Sequence, residues 1–201
     1  MKILNLYCGI GGNRKLWGNE HEITAIEIDP RIAEVYKHFF PEDKIIIGDA
    51  HKYLVEHYKE FDFIWSSPPC PSHSKIRNEA GVGSGQVKAI YPEMSLYQEI
   101  IFLKHFFKGK WVVENVIPYY KPLIKGKIIQ RHIFWSNFNI PNITLPSDNI
   151  NKGKMEDFRK VADIRKFNVE NERQVLRNCV NSEQGLHILN FAFKSKQEVL
   201  F

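Results

Sequence analysis

Cys70 stands where a thiol could act as a nucleophile. It ends the stretch Phe63-Ile64-Trp65-Ser66-Ser67-Pro68-Pro69-Cys70, in which an apolar run meets two serines and two prolines. The prolines fix the backbone and cannot extend a helix or a sheet ladder. Ser72, His73 and Ser74 keep the following residues polar. Most lone cysteines are buried and inert, but a thiol held among polar residues at a strand end suits covalent catalysis. Such a nucleophile needs an acid or a hydrogen-bond donor nearby. Glu114, in Trp111-Val112-Val113-Glu114-Asn115-Val116, supplies a carboxyl. Between Val113 and Val116 it is expected to hold its proton more tightly than a solvated carboxyl.

A second set of residues fits a nucleoside. Leu6-Tyr7-Cys8-Gly9-Ile10-Gly11-Gly12 follows a first apolar run. Glycines between a first strand and a first helix let a ligand approach the backbone. Glu27 closes a second run, where an acidic residue typically binds ribose hydroxyls, or where a carboxylate is simply solvated. Asp49 follows a third run, placed to accept from an adenine amino group or to cap the next helix. No G-x-x-x-x-G-K-[ST] stretch occurs, which argues against a P-loop nucleotide enzyme.

These residues need a scaffold, and the pattern predicts one. Apolar runs at Ile3–Tyr7, Glu22–Ile28, Lys44–Ile47, Phe61–Trp65 and Trp111–Val113 read as strands. Between them, helical spacing runs from Asp29-Pro30 through Phe39, from His51 to Tyr58 and from Met94 to Phe107. Alternating strands and helices predict an α/β fold with a parallel sheet, whose ligands lie beyond the carboxyl ends of the strands. Tyr7–Gly12, Glu27, Asp49, Pro69-Cys70 and Glu114-Asn115 then share one rim. Pro71–Pro92 is read as a long loop and Asn139–Asn151 as irregular. Met155–Val161 and Ser182–Phe193 return to helical spacing.

The 201 residues suit one domain with a sizeable core, and the net charge of +5 permits a nucleic-acid partner without establishing one. Three scattered cysteines without a C-x-x-C pair argue against a disulfide framework or a structural metal. No run reaches the length of a membrane span, and no signal peptide is read at Met1. A reducing cytoplasm is expected, and the Lys-, Ile- and Asn-rich composition points to a bacterial or phage source.

In order, these motifs resemble the DNA (cytosine-5) methyltransferase family. The matching parts are Leu4–Gly12, Glu27, Gly48-Asp49, Pro69-Cys70 with Ser74 beyond, Glu114-Asn115-Val116, a weaker match at Gln130-Arg131, and Asn178-Cys179-Val180-Asn181. The resemblance spans most of the chain. It implies a Rossmann-like sheet with helices on both faces and S-adenosylmethionine as cofactor. Leu6, Tyr7, Gly9, Gly11, Gly12, Glu27, Ile28, Asp49, Ala50, Pro68, Asn178 and Val180 would line the cofactor. Cys70 would attack C6 of a cytosine flipped from double-stranded DNA, with Glu114 at N3 and the exocyclic amine, and Arg131 beside them. Pro69, Ser74, Arg77, Asn115 and Val116 would contact the substrate. Residues 71–92 match the family's mobile catalytic loop, with Lys75, Arg77 and Lys88 available for phosphates.

The sequence departs from the family pattern at several points. Asn5 and Pro71 replace more usual residues, Arg177 stands where glycine is common, and only Arg131 remains of an arginine pair, with Gln130 or His132 near the other place. The catalytic core is read as residues 1–138, a much reduced recognition segment as 139–173, and a segment returning to the core as 174–201. The recognition segment carries Lys152, Lys154, Arg159, Lys160, Arg165 and Lys166, and a specificity subunit or homodimer partner could supply what it lacks. An RNA cytosine-5 enzyme and a non-catalytic subunit of a split enzyme stay open. So does an N4/N6 amino methyltransferase, since Ser67-Pro68-Pro69 fits that class while Cys70 does not.

Overall fold

The computed structural model describes residues 1–75, 77–145 and 154–194. Seven strands form one sheet in the order β3-β2-β1-β4-β5-β7-β6. β1 (Lys2–Leu6), β2 (Glu22–Glu27), β3 (Lys44–Ile47), β4 (Phe63–Ser66) and β5 (Lys110–Val116) run parallel, as the alternating pattern predicts. β6 (Lys127–Ile129) and β7 (His132–Ser136) were not anticipated. They form a hairpin whose second strand adds antiparallel to β5. Its two-residue turn puts Gln130 at φ 52°.

Each central strand buries both faces, which is why the runs look continuously apolar rather than alternating. Leu4, Leu6, Ile64 and Val113 face α2 (Ala50–His57) and α3 (Ser95–Phe106), through Leu54, Ile100 and Leu103. Ile3, Phe63, Trp65 and Val112 face the opposite side, against Ile188, Leu189 and Ala192 of α6 (Ser182–Phe193). α1 (Pro30–Phe39) packs on that side through Tyr36 against Ala25. Pro30 sits at the first turn of α1, where its missing N–H costs nothing, and the Asp29 side chain accepts from the Arg31 amide.

Two expectations need correction. No helix follows the glycine motif. Tyr7 to His21 is a chain of turns closed by Gly11 N–Cys8 O, Arg14 N–Gly11 O and Trp17 N–Arg14 O bonds. Gly11 and Gly18 adopt φ 81° and 78°, which an α-helix does not tolerate. The segment is instead tied down by the buried Arg14–Asp43 pair at 2.9 Å. The Pro71–Pro92 stretch also contains structure: Arg77–Val82 form one short π-helical segment. α4 (Met155–Arg159) and α5 (Glu172–Arg177) pack together over the face near Ile10 and Val35.

Candidate active site

The sheet's strand order reverses direction beside β1, and Tyr7, Glu27, Asp49, Cys70 and Glu114 lie at or just beyond the carboxyl ends of the parallel strands. β1 ends in Tyr7 and Gly9, both in the left-handed region at φ 53° and 54°. Glu27 fastens this turn to the end of β2. One carboxylate oxygen accepts from the Gly9 amide at 3.0 Å, the other from the Ile28 and Asp29 amides at 2.9 and 3.0 Å. Asp49 caps α2 through one oxygen, which accepts from the Lys52 amide at 2.9 Å. Ala50 follows it and is buried.

The surroundings fit a nucleoside ligand. A Cβ at Gly9 or Gly48 would meet only open space. Ile28 is 71% exposed beside Glu27, offering apolar surface to a flat base. Gly12 serves differently: a Cβ there would lie 2.8 Å from the Val180 carbonyl oxygen and from Cys179 Cβ. Gly12 is thus the contact that seats the C-terminal motif on the glycine turn. Asn178 is exposed, caps α5 and accepts from the Gln174 amide group at 2.7 Å. A cavity of about 760 Å3 opens beside Gly11, Gly12 and Val180, with Phe39, Phe40 and Phe158 in its wall. Glu27, Asp49 and Cys70 do not line it.

Cys70 and Glu114 hang from adjacent parallel strands, β4 and β5. The two strand ends are clasped by Asn115 Nδ2, which donates to the buried Pro68 carbonyl at 2.9 Å. Asn115 Oδ1 accepts from the Val116 amide at 3.0 Å. Pro69 is exposed and Cys70 half-buried. Burial, and secondarily the charge of Glu114, pushes the Cys70 thiol up to about 11. Burial pushes Glu114 up to about 7, opposed by a hydrogen bond from Ser67 and by the Arg131 charge. Ser67 in turn accepts from the Trp65 indole N–H at 2.9 Å. The carboxyl therefore titrates near neutrality, as its apolar neighbours predict.

The hairpin distributes its polar residues in a way the sequence did not reveal. Arg131 donates to the carbonyls of Arg177 and Cys179 at 2.9 and 2.7 Å, bracing the C-terminal motif. His132 is the side chain facing Glu114, with Nε2 3.5 Å from Oε1 and both groups buried. Burial and the adjoining Arg131 charge depress its pKa to about 3, so the imidazole is neutral. Only the strand alternation of a β7 beside β5 could have identified it.

Ser74 sits in the loop after the nucleophile, bridged to Pro118 and accepting from the Arg77 amide at 3.2 Å. Arg77 donates to the Lys88 carbonyl at 3.0 Å, and Lys75 lies 3.6 Å from Glu79. In the expected recognition segment Arg159, Lys160 and Arg165 pair with Glu172, Asp157 and Asp163. Lys152 lies outside the described residues. Among the described residues no group of three or more His, Cys, Asp or Glu side chains could hold a metal ion, and no helix is long and apolar enough to cross a membrane.

Among solved structures, an Entamoeba histolytica methyltransferase, EhMeth, matches 96% of the chain and 98% of its own with a TM-score of 0.56 at 11% identity, a likeness of fold. A mutant of Spodoptera frugiperda DNMT2 is 28% identical over 57% of this chain and 35% of its own, with a TM-score of 0.39. The tRNA (cytosine(38)-C(5))-methyltransferase of Spodoptera frugiperda is 39% identical over 75 residues, 34% of this chain and 23% of that protein. The Rattus norvegicus protein of the same name is 24% identical over 136 residues, 65% of this chain and 34% of its own. The chain thus spans 34% or less of the length of these curated relatives. The family model for C-5 cytosine-specific DNA methylases matches residues 1–117, from β1 through the Glu114-Asn115-Val116 motif. With the glycine turn, Glu27, Asp49, Cys70 and Glu114 all inside that range, the chain belongs to the C-5 cytosine-specific DNA methylase family, and its cofactor is S-adenosylmethionine.

Proposed function

We propose that this chain methylates C5 of cytosine in DNA through a covalent bond from Cys70. The observation that carries the reading is the clasp of Cys70 and Glu114 on neighbouring strand ends, beside the Gly9–Glu27 turn. S-adenosylmethionine supplies a methyl group made electrophilic by its sulfonium. Leu6, Tyr7, Gly9, Gly11, Gly12, Glu27, Ile28, Asp49, Ala50, Pro68, Asn178 and Val180 bound the cofactor side. Pro69, Ser74, Arg77, Asn115 and Val116 bound the substrate side.

The Cys70 sulfur bonds to C6 of the extruded base. Glu114, retaining its proton, donates to N3 and stabilises the electron density that moves into the ring. C5 would then take the methyl carbon as the sulfonium carbon–sulfur bond breaks and the sulfur leaves as a neutral thioether. Loss of the C5 proton to water, cleavage of the S–C6 bond and return of the N3 proton to Glu114 would restore the aromatic ring and the Cys70 thiolate. Arg131 holds the C-terminal motif in place, and its charge opposes the upward shift of Glu114. Residues 139–173 form a reduced recognition segment. Among the described residues of that segment Arg159, Lys160 and Arg165 are each paired with an acid, which supports a partner protein or second copy supplying recognition.

Bisulfite sequencing of DNA from a methylation-free bacterial host expressing the chain, with Cys70→Ala as control, tests the reading. Protected cytosines in one short motif, absent in the control, are expected. A second reading, an RNA cytosine substrate, is favoured by the names of the curated relatives, which are tRNA enzymes. Bisulfite sequencing of RNA from the same cells separates the two. Protection in the Cys70→Ala host in either nucleic acid would sink the covalent mechanism.

A further inference from the structure

Glu99 lies in the middle of α3, fully buried, among side chains that are mostly apolar. A carboxylate so placed is costly unless its oxygens are filled. They are filled by groups from three different elements. Tyr7 Oη donates to Oε1 at 2.5 Å and Ser66 Oγ donates to Oε2 at 2.5 Å. His51 Nδ1 lies 3.3 Å from Oε1, with its side chain partly exposed at the first turn of α2. Each of these partners adjoins the site. Tyr7 holds the left-handed turn that precedes Gly9. Ser66 is the last residue of β4, directly before Ser67-Pro68-Pro69-Cys70. His51 follows the Asp49 cap and Ala50.

We propose that Glu99 is the positioning residue that sets the cofactor turn at Tyr7 and the nucleophile strand at Ser66 in register with one another. The distance between the transferable methyl and Cys70 is then set by a side chain that touches neither. A methyl transfer needs its reacting atoms within a few tenths of an ångström of a productive geometry, and charged hydrogen bonds from one rigid helix supply that constraint. The role in cofactor binding rests on the family assignment; the role in transfer rests on the reading of Cys70 given above.

Glu99→Gln in the full chain tests the proposal, because it keeps the volume and removes the charge. S-adenosylmethionine affinity is measured by calorimetry, and methyl transfer is followed separately. The variant is expected to bind the cofactor about tenfold or more weakly, and to lose turnover beyond that when saturated. Tyr7→Phe should reproduce most of the affinity loss, and Ser66→Ala should lower the saturated rate more than the affinity. The Tyr7→Phe/Glu99→Gln pair should be no weaker than Glu99→Gln alone. A variant that melts earlier while cofactor affinity and turnover stay within twofold overturns the proposal, as do additive effects of Tyr7 and Glu99. Should Glu99→Gln fail to fold, the Tyr7→Phe/Ser66→Ala pair decides it: coupled effects support the link and independent ones overturn it. Intact cofactor binding by a wild-type chain with no methyl transfer would count against the Cys70 reading, while the affinity measurements would still judge Glu99.

Discussion

His132 Nε2 lies 3.5 Å from Glu114 Oε1, across the antiparallel pairing of β5 and β7. A neutral imidazole therefore borders the acid, and Arg131, the adjoining cation, spends two donors on backbone carbonyls. Burial keeps Glu114 protonatable near pH 7, against the opposing charge of Arg131.

The depressed pKa of His132 makes an acid-stability prediction. Its folded-state value of about 3 lies below the ordinary 6.5. The unfolded chain thus binds the proton more readily, and stability present above pH 6.5 is lost as pH falls toward 3. His132→Gln should flatten that loss, by up to about 1.4 kcal/mol for each pH unit inside the window. Melting temperature against pH for both proteins, from pH 4 to 8, measures it. Parallel curves would refute the assignment.

Glu114 predicts the opposite limb. Its carboxyl is raised from 4.5 to about 7 by burial, so the folded state favours the protonated form. The stability it contributes is present below pH 4.5 and is lost as pH rises through 7. Glu114→Gln removes a buried charge above that pH. The variant should be inactive, yet more stable than wild type at pH 8 by on the order of 3 kcal/mol, and equal to it at pH 4. Urea unfolding at the two pH values is the check.

Cys70 and Glu114 together shape the rate profile. The reactive pair carries one proton: thiolate at Cys70 and acid at Glu114. With Glu114 near 7 and Cys70 near 11, the singly protonated pair is populated between those values. The pH dependence of kcat/KM should rise about tenfold per unit below pH 7 and level above it. A profile that falls across pH 7 would mean that the doubly protonated pair is the active form.

Gly12→Ala tests the seat of the C-terminal motif. The new methyl would meet Val180 O and Cys179 Cβ at 2.8 Å, and backbone on one side cannot give way cheaply. A loss of about 1–3 kcal/mol in stability is expected, with weaker cofactor binding. Gly48→Ala, whose Cβ enters open space, is its control. Thermal melts and calorimetry on the two variants separate steric from general effects.

Asp43→Ala probes the brace beneath the glycine turn. Asp43 accepts from Arg14 Nε and Nη2 and from Tyr36 Oη, and both members of the ion pair are buried. Removing the acid strands the guanidinium and should cost about 3–5 kcal/mol. Chemical denaturation measures it, and a change under 1 kcal/mol would show that the pair is dispensable.

The sequence by itself determined the five parallel strands, the helices between them and the placement of Glu27, Asp49, Cys70 and Glu114 at one edge. These follow from local patterns: apolar runs too long to alternate, Pro30 after a capping Asp29, glycines and prolines at strand ends. Tertiary structure alone decided the rest. The β6–β7 hairpin was illegible because its strands are short and acquire meaning only by pairing with β5. With it came the place of His132 beside Glu114, since the register of β7 on β5 decides which of its side chains share the face of Glu114. The helix expected after Gly12 was replaced by turns because Gly11 and Gly18 take positive φ and Arg14 finds Asp43, a partner distant in the chain. Glu99 showed only as a charge within a helical pattern. Its three partners come from the turn after β1, from β4 and from α2, and no local spacing announces a contact that only the packing of α3 on the sheet creates.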